Sequence, residues 1–358
     1  MSKKQIIAIV SVIIAIIAIG GILFFATPKK SSDNVTEVTK DKPGHEDDTV
    51  SLLTGEWVSK EVGSKRPVAV MTENTKENMP QYGLNSAGVI YEAPVEGGIT
   101  RLMAIYEDFS KLTQIGNVRS CRPYYAHFAK EFDAIYVHFG QSMHAEKLLN
   151  SGYVNNLSGL DGSVNATFFR TDEHPAPHNA YTSAEGIENG IEVKGYQREY
   201  DASAKSHYTF VAPDERNKLK DGSDCKKIQL YYFQNRASFV YDEKTKLYKR
   251  FEFGDEEIDA VDEKQIAVSN IIFQNVASSM YEDTPYLNLD VTGSGEGKFF
   301  TNGKMIDVTW EKEEDGITRY YDEDGEEIKL NPGKTWVCII EKQNADKCEF
   351  SAKSEDAE

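Results

Sequence analysis

The sequence predicts an α+β protein: a mixed α/β domain over residues 57–200, followed by a mostly antiparallel β domain over 201–342. Two observations predict it. Strand-type and helix-type patterns alternate through the first half, as in a sheet covered by helices. In the second half short β-rich runs alternate with turns, and no window holds a helical period. Ahead of both lies an apolar run of a different kind.

After MSKK, residues 6–26 carry no charge and almost nothing polar. About 20 such residues, at roughly 1.5 Å each, cross a hydrocarbon core of about 30 Å. A cleaved signal has an apolar core of roughly 7–15 residues and small residues before the cut. Here the run is longer, and Phe24 sits three positions before a cut after Ala26. Residues 1–30 are therefore expected to form an uncleaved, single-pass membrane anchor. Lys3 and Lys4 precede the run without any acid, whereas residues 31–56 carry seven acids against two lysines. This places the short N-terminus inside and the body on the extracytoplasmic side. Residues 31–56 hold few large apolar side chains and are expected to be a flexible acidic stalk; residues 343–358 are expected to be an acidic, frayed tail.

Within 57–200, RPVAVMTEN (66–74) reads as a strand. VIYEAPV (89–95) and TRLMAIYED (100–108) read as a hairpin around Glu96-Gly97-Gly98. In IGNVRSCRPYY (115–125), Ser120 is a candidate N-cap and Pro123 suits a first helical turn. Tyr125, Phe128, Ala129 and Phe132 then make a helical apolar stripe. DAIYVHFG (133–140) reads as a strand, and a helix capped by Ser142 follows, closing near Gly152. Thr182 with Glu185 forms a capping-box pattern, with Gly190 as the expected stop. In 201–342, Asn302-Gly303, Asp315-Gly316 and Asp324-Gly325 are two-residue turn signals.

The 358 residues carry a formal net charge of -18, which argues against a nucleic-acid binder. Cys121, Cys225, Cys338 and Cys348 form no CxxC and no metal spacing with the histidines. A Cys338–Cys348 disulfide and free thiols both remain open. Gly293–Lys298 lacks the phosphate-loop pattern and reads as a glycine-rich turn. HPAPH (174–178) lacks the companion ligands of a zinc site. No metal or cofactor is implied.

The chemistry concentrates in a constellation. Arg101 follows the hairpin turn, and Arg119 and Arg122 sit at a helix start. His138 ends a strand; Arg170, His178, Asn179 and Tyr181 lead into the next helix. Helix starts attract anions, and arginine adds a planar two-point contact to phosphate or carboxylate. Glu92 and Glu96 on the hairpin are candidate carboxylate partners for the arginines, or for a hydrated Mg²⁺ against an anionic substrate. The competing reading is a structural ion-pair network, with His138 as a satisfied core histidine. Cys121 has a thiol between two arginines, the setting of a reactive cysteine, but the spacing supplies no base.

RPVAVMTEN, YGLNSAGVIYEAPVEGGITRLMAIY, IGNVRSCRPYY, APHNAYTS and LNPGKTWV together resemble the YerB-like family of Gram-positive envelope proteins. The resemblance covers about residues 57–342. It implies a bacterial surface protein, usually a lipoprotein, built from a two-part domain of unknown function. It implies no established reaction; a link to cell-division or peptidoglycan-synthesis proteins is a family-level implication. Family lipoproteins carry a lipid-accepting cysteine just after the apolar run, whereas the first cysteine here is Cys121, so a transmembrane anchor is expected instead. Members commonly have alanine at the Cys121 position, which leaves Arg119 and Arg122 as the matching residues.

The expectation is a membrane-anchored extracytoplasmic module that binds an envelope partner or an anionic wall ligand. The alternative is a Mg-assisted phosphoryl or wall-polymer transferase with Arg101, Arg119, Arg122 and Arg170 as its clamp.

Overall fold

Every residue of Val68–Asn74 is buried, apolar or not. Such a strand needs cover on both faces, and the architecture supplies it. The structure, a computed structural model of the chain, describes residues 43–201 and 203–354. The apolar run 6–26 and the first part of the expected stalk lie outside the described residues. Among the described residues no helix is long and apolar enough to cross a membrane.

The centre is a twelve-stranded mixed sheet. Its main strands are β1 (Val68–Asn74), β2 (Val89–Pro94), β3 (Thr100–Tyr106), β4 (Ile135–His138), β5 (Asn156–Ser158), β6 (Asn270–Met280), β7 (Gly293–Thr301), β8 (Lys304–Lys312) and β9 (Thr335–Glu341). The spatial order runs β8, β7, β6, β9, β2, β3, β1, β4, β5. The expected hairpin is β2–β3, paired antiparallel with Ala93 opposite Arg101. β9 lies parallel to both β6 and β2, so main-chain pairing joins the two halves of the sequence. A β-rich C-terminal part completes an α+β fold.

The two faces follow the alternation of side chains along each strand. Ala69, Met71, Tyr91, Ala93, Met103 and Ile105 belong to one core, with Tyr124, Tyr125 and Phe128 of helix α1 (Pro123–Glu131). Val68, Val70, Ile90, Leu102 and Ala104 belong to the other, with Phe239 and Tyr248 of a second, six-stranded sheet. Helix α2 (Met143–Asn150) joins the first core through Ala145 and Leu149. Helix α3 (Ala184–Lys194) joins the second through Ile187 and Ile191. A buried charge cluster ties α1 to the C-terminal half: Glu131 receives His207 Nε2 at 2.8 Å and Lys312 Nζ at 2.9 Å.

Several local expectations are corrected. The last part of the expected stalk is folded: Asp48–Val50 pairs with Trp57–Ser59, and Leu53 enters the core. Residues beyond 342 are not a frayed tail up to 351. Glu349–Ser351 pairs with Lys227–Gln229, and the Phe350 ring lies 5.5 Å from Phe300 and 5.8 Å from Phe273. A short polar segment can still dock when one aromatic side chain finds a pocket. Gly293–Lys298 is strand, not turn; a Cβ on Gly297 would lie 2.1 Å from the Phe273 carbonyl, so glycine permits close strand pairing.

The caps shift as well. Arg122 occupies the N-cap of α1, and the Ser120 hydroxyl donates to the Phe139 carbonyl at 3.1 Å. Ser142 does cap α2, accepting from the Ala145 N–H at 3.3 Å. α3 is capped by Ser183, while Thr182 donates to the Thr167 carbonyl. That helix runs past Gly190, which packs on Thr167 and Leu157, and stops at Gly195 in the left-handed conformation. All four cysteines are free and buried.

Candidate functional site

Three of the predicted arginines converge at the carboxyl ends of two neighbouring parallel strands, β1 and β4. The segment 117–121 is laced into these ends by main-chain bonds. Arg119 N–H donates to the Met71 carbonyl, Glu73 N–H to that of Asn117, and Cys121 N–H to that of Gly140.

Arg101 is the most unusual member. It is 6% exposed and forms no ion pair among the described residues. Among the described residues its side chain bonds the Ser120 carbonyl, at 2.9 Å from a terminal nitrogen, and its Nε–H meets no acceptor. Burial, together with the adjacent Arg122 and Arg119 charges, pushes its pKa down to about 10. Arg119 lies 2.8 Å from Glu73 Oε2, a charge contact off line for a hydrogen bond, and donates to the Pro177 carbonyl. Arg122 grips Glu96 with two nitrogens, Nε at 2.9 Å and a terminal nitrogen at 2.6 Å. Burial works against that arginine's charge, but Glu96 more than offsets it. Glu96 also accepts the Leu287 N–H at 3.1 Å.

His178 joins this group through Nδ1, 2.9 Å from the same Glu73 oxygen that faces Arg119. Tyr181 flanks it: its hydroxyl accepts from Asn117 at 2.9 Å and donates to Glu173 at 3.3 Å. Burial and the Glu173 charge raise the Tyr181 pKa. Asn117 also donates to the His178 carbonyl, which holds that loop against the arginines.

The other predicted residues stand apart. His138 is wholly buried, with Nδ1 on the Gly140 carbonyl and Nε2 on Asn156, and burial lowers its pKa. It is a buried core histidine enclosed by the protein's own groups. Arg170 binds the Asn179 side chain at 2.6 Å and stacks on Phe139, with no ion pair among the described residues. Asn179 in turn donates to the Thr171 carbonyl. The Cys121 thiol is pushed up to about 12 by burial, so it is no thiolate.

Glu92 is not a partner of these arginines. It opposes Leu102, one residue out of phase with Arg101, and so faces the other side of the sheet. There it meets Arg250, which sequence reading missed. Arg250 is fully buried and holds Glu92 and Glu257 at 2.8 Å each, and Glu252 as well. Its guanidinium stacks on Trp336 at 4.3 Å and on Phe239 at 4.8 Å. Burial and neighbouring carboxylates push Glu252 up to about 8, so this cluster retains a proton at neutral pH. Glu73, Asn117 and Glu173 were also missed. Parity held the signal for Glu73, which lies opposite Arg101 on the next strand. In the arginine group both carboxylates, Glu73 and Glu96, are already committed to cations, which leaves neither free for Mg²⁺.

Two family models match the sequence that builds this site and its surroundings. The N-terminal domain of a protein of unknown function, DUF3048, matches residues 53–197, and its C-terminal domain matches residues 228–337. The chain belongs to the YerB-like DUF3048 family. A Bacillus subtilis (strain 168) protein named as a lipoprotein, YerB, is 32% identical over 294 residues, covering 80% of this DUF3048 chain and 85% of its own. The crystal structure of the YerB protein from Bacillus subtilis superposes with a TM-score of 0.75 at 30% identity, covering 85% of this chain and 99% of that one. The arginine group of this DUF3048 protein lies inside the N-terminal match, whereas Arg250 lies inside the C-terminal one.

Proposed function

We propose that this DUF3048 protein is a membrane-tethered module of the bacterial envelope whose extracytoplasmic body binds an anionic wall component at Arg101, Arg119, Arg122 and His178. The carrying observation is Arg101, a buried guanidinium with no ion-paired carboxylate among the described residues and an idle Nε–H. An uncompensated buried charge costs several kcal/mol, and a bound phosphate or carboxylate offsets that cost. Arg119 and His178, the more exposed members, supply the approach. The tether rests on the apolar run 6–26, and the envelope setting on the lipoprotein name of the Bacillus subtilis relative. A thermal-shift screen with phosphate, pyrophosphate and wall fragments tests this reading; no stabilisation by any of these anions rejects it.

A further inference from the structure

A concavity opens beside the arginine group, next to Arg122 at the start of α1, and its chemistry is different. It lies between the start of α1 (Pro123, Tyr124, His127) and the hairpin that β6 makes with Leu287–Asp290, and encloses about 400 Å³. That volume is within the roughly 300–1,000 Å³ of small-ligand sites. Its lining is unlike the arginine group: no lysine or arginine contributes, and Asp290 is its one carboxylate. Hydroxyls and an amide contribute, from Ser279, Thr292 and Asn288, while the Ser278 hydroxyl is engaged by Glu341 and Gln343.

The aromatic groups are fixed before any ligand arrives. Tyr281 stacks on His144 with centroids 3.6 Å apart, and its hydroxyl donates to Asn288 at 3.1 Å. The His144 ring is edge-on to Tyr286, which in turn packs under Arg122. His127 spends Nδ1 on the Tyr153 hydroxyl, 2.9 Å away, which leaves Nε2 for the groove. Burial and the Lys312 charge lower the His127 pKa, so the ring adds no cation.

This lining discriminates between ligand classes. An anion meets Asp290 and finds no basic side chain. A purely apolar molecule strands the hydroxyls and the amide, at about 1–3 kcal/mol for each unsatisfied group. A pyranose satisfies both requirements: its hydroxyls pair with Ser, Thr, Asn and Asp, and its C–H face lies on a tyrosine. We propose that this groove is a binding site for a neutral oligosaccharide, held by Tyr281, Asn288, Asp290 and His127. The site stands on its own observations and does not depend on the anion reading.

The test is calorimetric titration of the full-length protein, in a detergent without a sugar head group, with cellotetraose and chitotetraose. Saturable binding of at least one is expected. Asn288→Ala should weaken it about tenfold, the loss of roughly one well-made hydrogen bond and its neighbour. Ser279→Trp, at an exposed position on the groove wall, should block it while leaving the unfolding temperature unchanged. No saturation by either sugar overturns the proposal, and so does binding that both variants leave intact. The two sites fail separately: stabilisation by phosphate without oligosaccharide binding removes the groove alone.

Discussion

Glu73 stands directly opposite Arg101 in the β1–β3 register, yet gives its carboxylate to Arg119 and His178. That diversion leaves Arg101 with only a longer-range attraction to Glu73 and no ion pair among the described residues, close to the charges of Arg122 and Arg119. Charge is thus held at the strand ends in excess of what the protein neutralises. On the proposed reading, such a cluster weakens the empty fold and favours an anion-bound one.

The first prediction concerns the empty protein. Arg101→Met removes the uncompensated charge but keeps most of the side-chain volume. Urea unfolding in anion-free buffer should show a gain of about 1–3 kcal/mol. A loss of stability would mean that the Ser120 contact matters more than the buried charge.

A second prediction compares neighbours. Arg122→Ala strands Glu96, mostly shielded from water, and should cost about 2–4 kcal/mol. Cys121→Ala removes a neutral thiol and should cost about 1 kcal/mol or less. Chemical denaturation of both variants checks the order. Equal losses would show that the thiol holds this stretch as firmly as the guanidinium does.

The reading of IGNVRSCRPYY shows what sequence can and cannot reveal. Pro123 and the Tyr125–Phe128–Phe132 spacing located the helix, because those signals act within one turn. Arg101, Arg119, Arg122 and His178 lie near one another because the strand start at Thr100, the segment before α1 and the turn before Ala180 meet around Glu73. Arg170 and His138 have the same local look but are satisfied by Asn179, Gly140 and Asn156, partners that only tertiary packing brings near. The Glu92 assignment failed on parity: in a two-residue period it could not share a face with Arg101. The Arg250 cluster joins residues 92 and 250 through strand pairing across the whole chain, which no local pattern encodes.

A third prediction follows from Glu252. Its folded pKa, about 8, lies above the ordinary 4.5. The folded state therefore holds a proton that the unfolded state has lost between those values. Its stability contribution is fully present below about pH 4.5 and declines as pH rises through about 8. Relative to Glu252→Gln, the wild type should lose stability from pH 5 to 8, with a slope of at most about 1.4 kcal/mol per pH unit. Parallel pH–stability curves for the two proteins would contradict this. Arg250→Met, which leaves three buried carboxylates without their cation, should cost at least about 3–5 kcal/mol.

A fourth prediction separates a docked C-terminal segment from a frayed one. Phe350→Ala removes the ring that meets Phe273 and Phe300 and should cost about 1–3 kcal/mol, below the full value for a deeply buried phenylalanine. A silent substitution would mean that Glu349–Ser351 adds nothing to the second sheet.

The central claim is that the arginine group binds an anion through Arg101. Isothermal titration of pyrophosphate into wild type and Arg101→Met tests it most directly. Saturable binding by the wild type, weakened at least about tenfold in the variant and falling with added salt, is the predicted result. Wild-type protein that gives no saturation, or a variant that binds as tightly, would contradict the account.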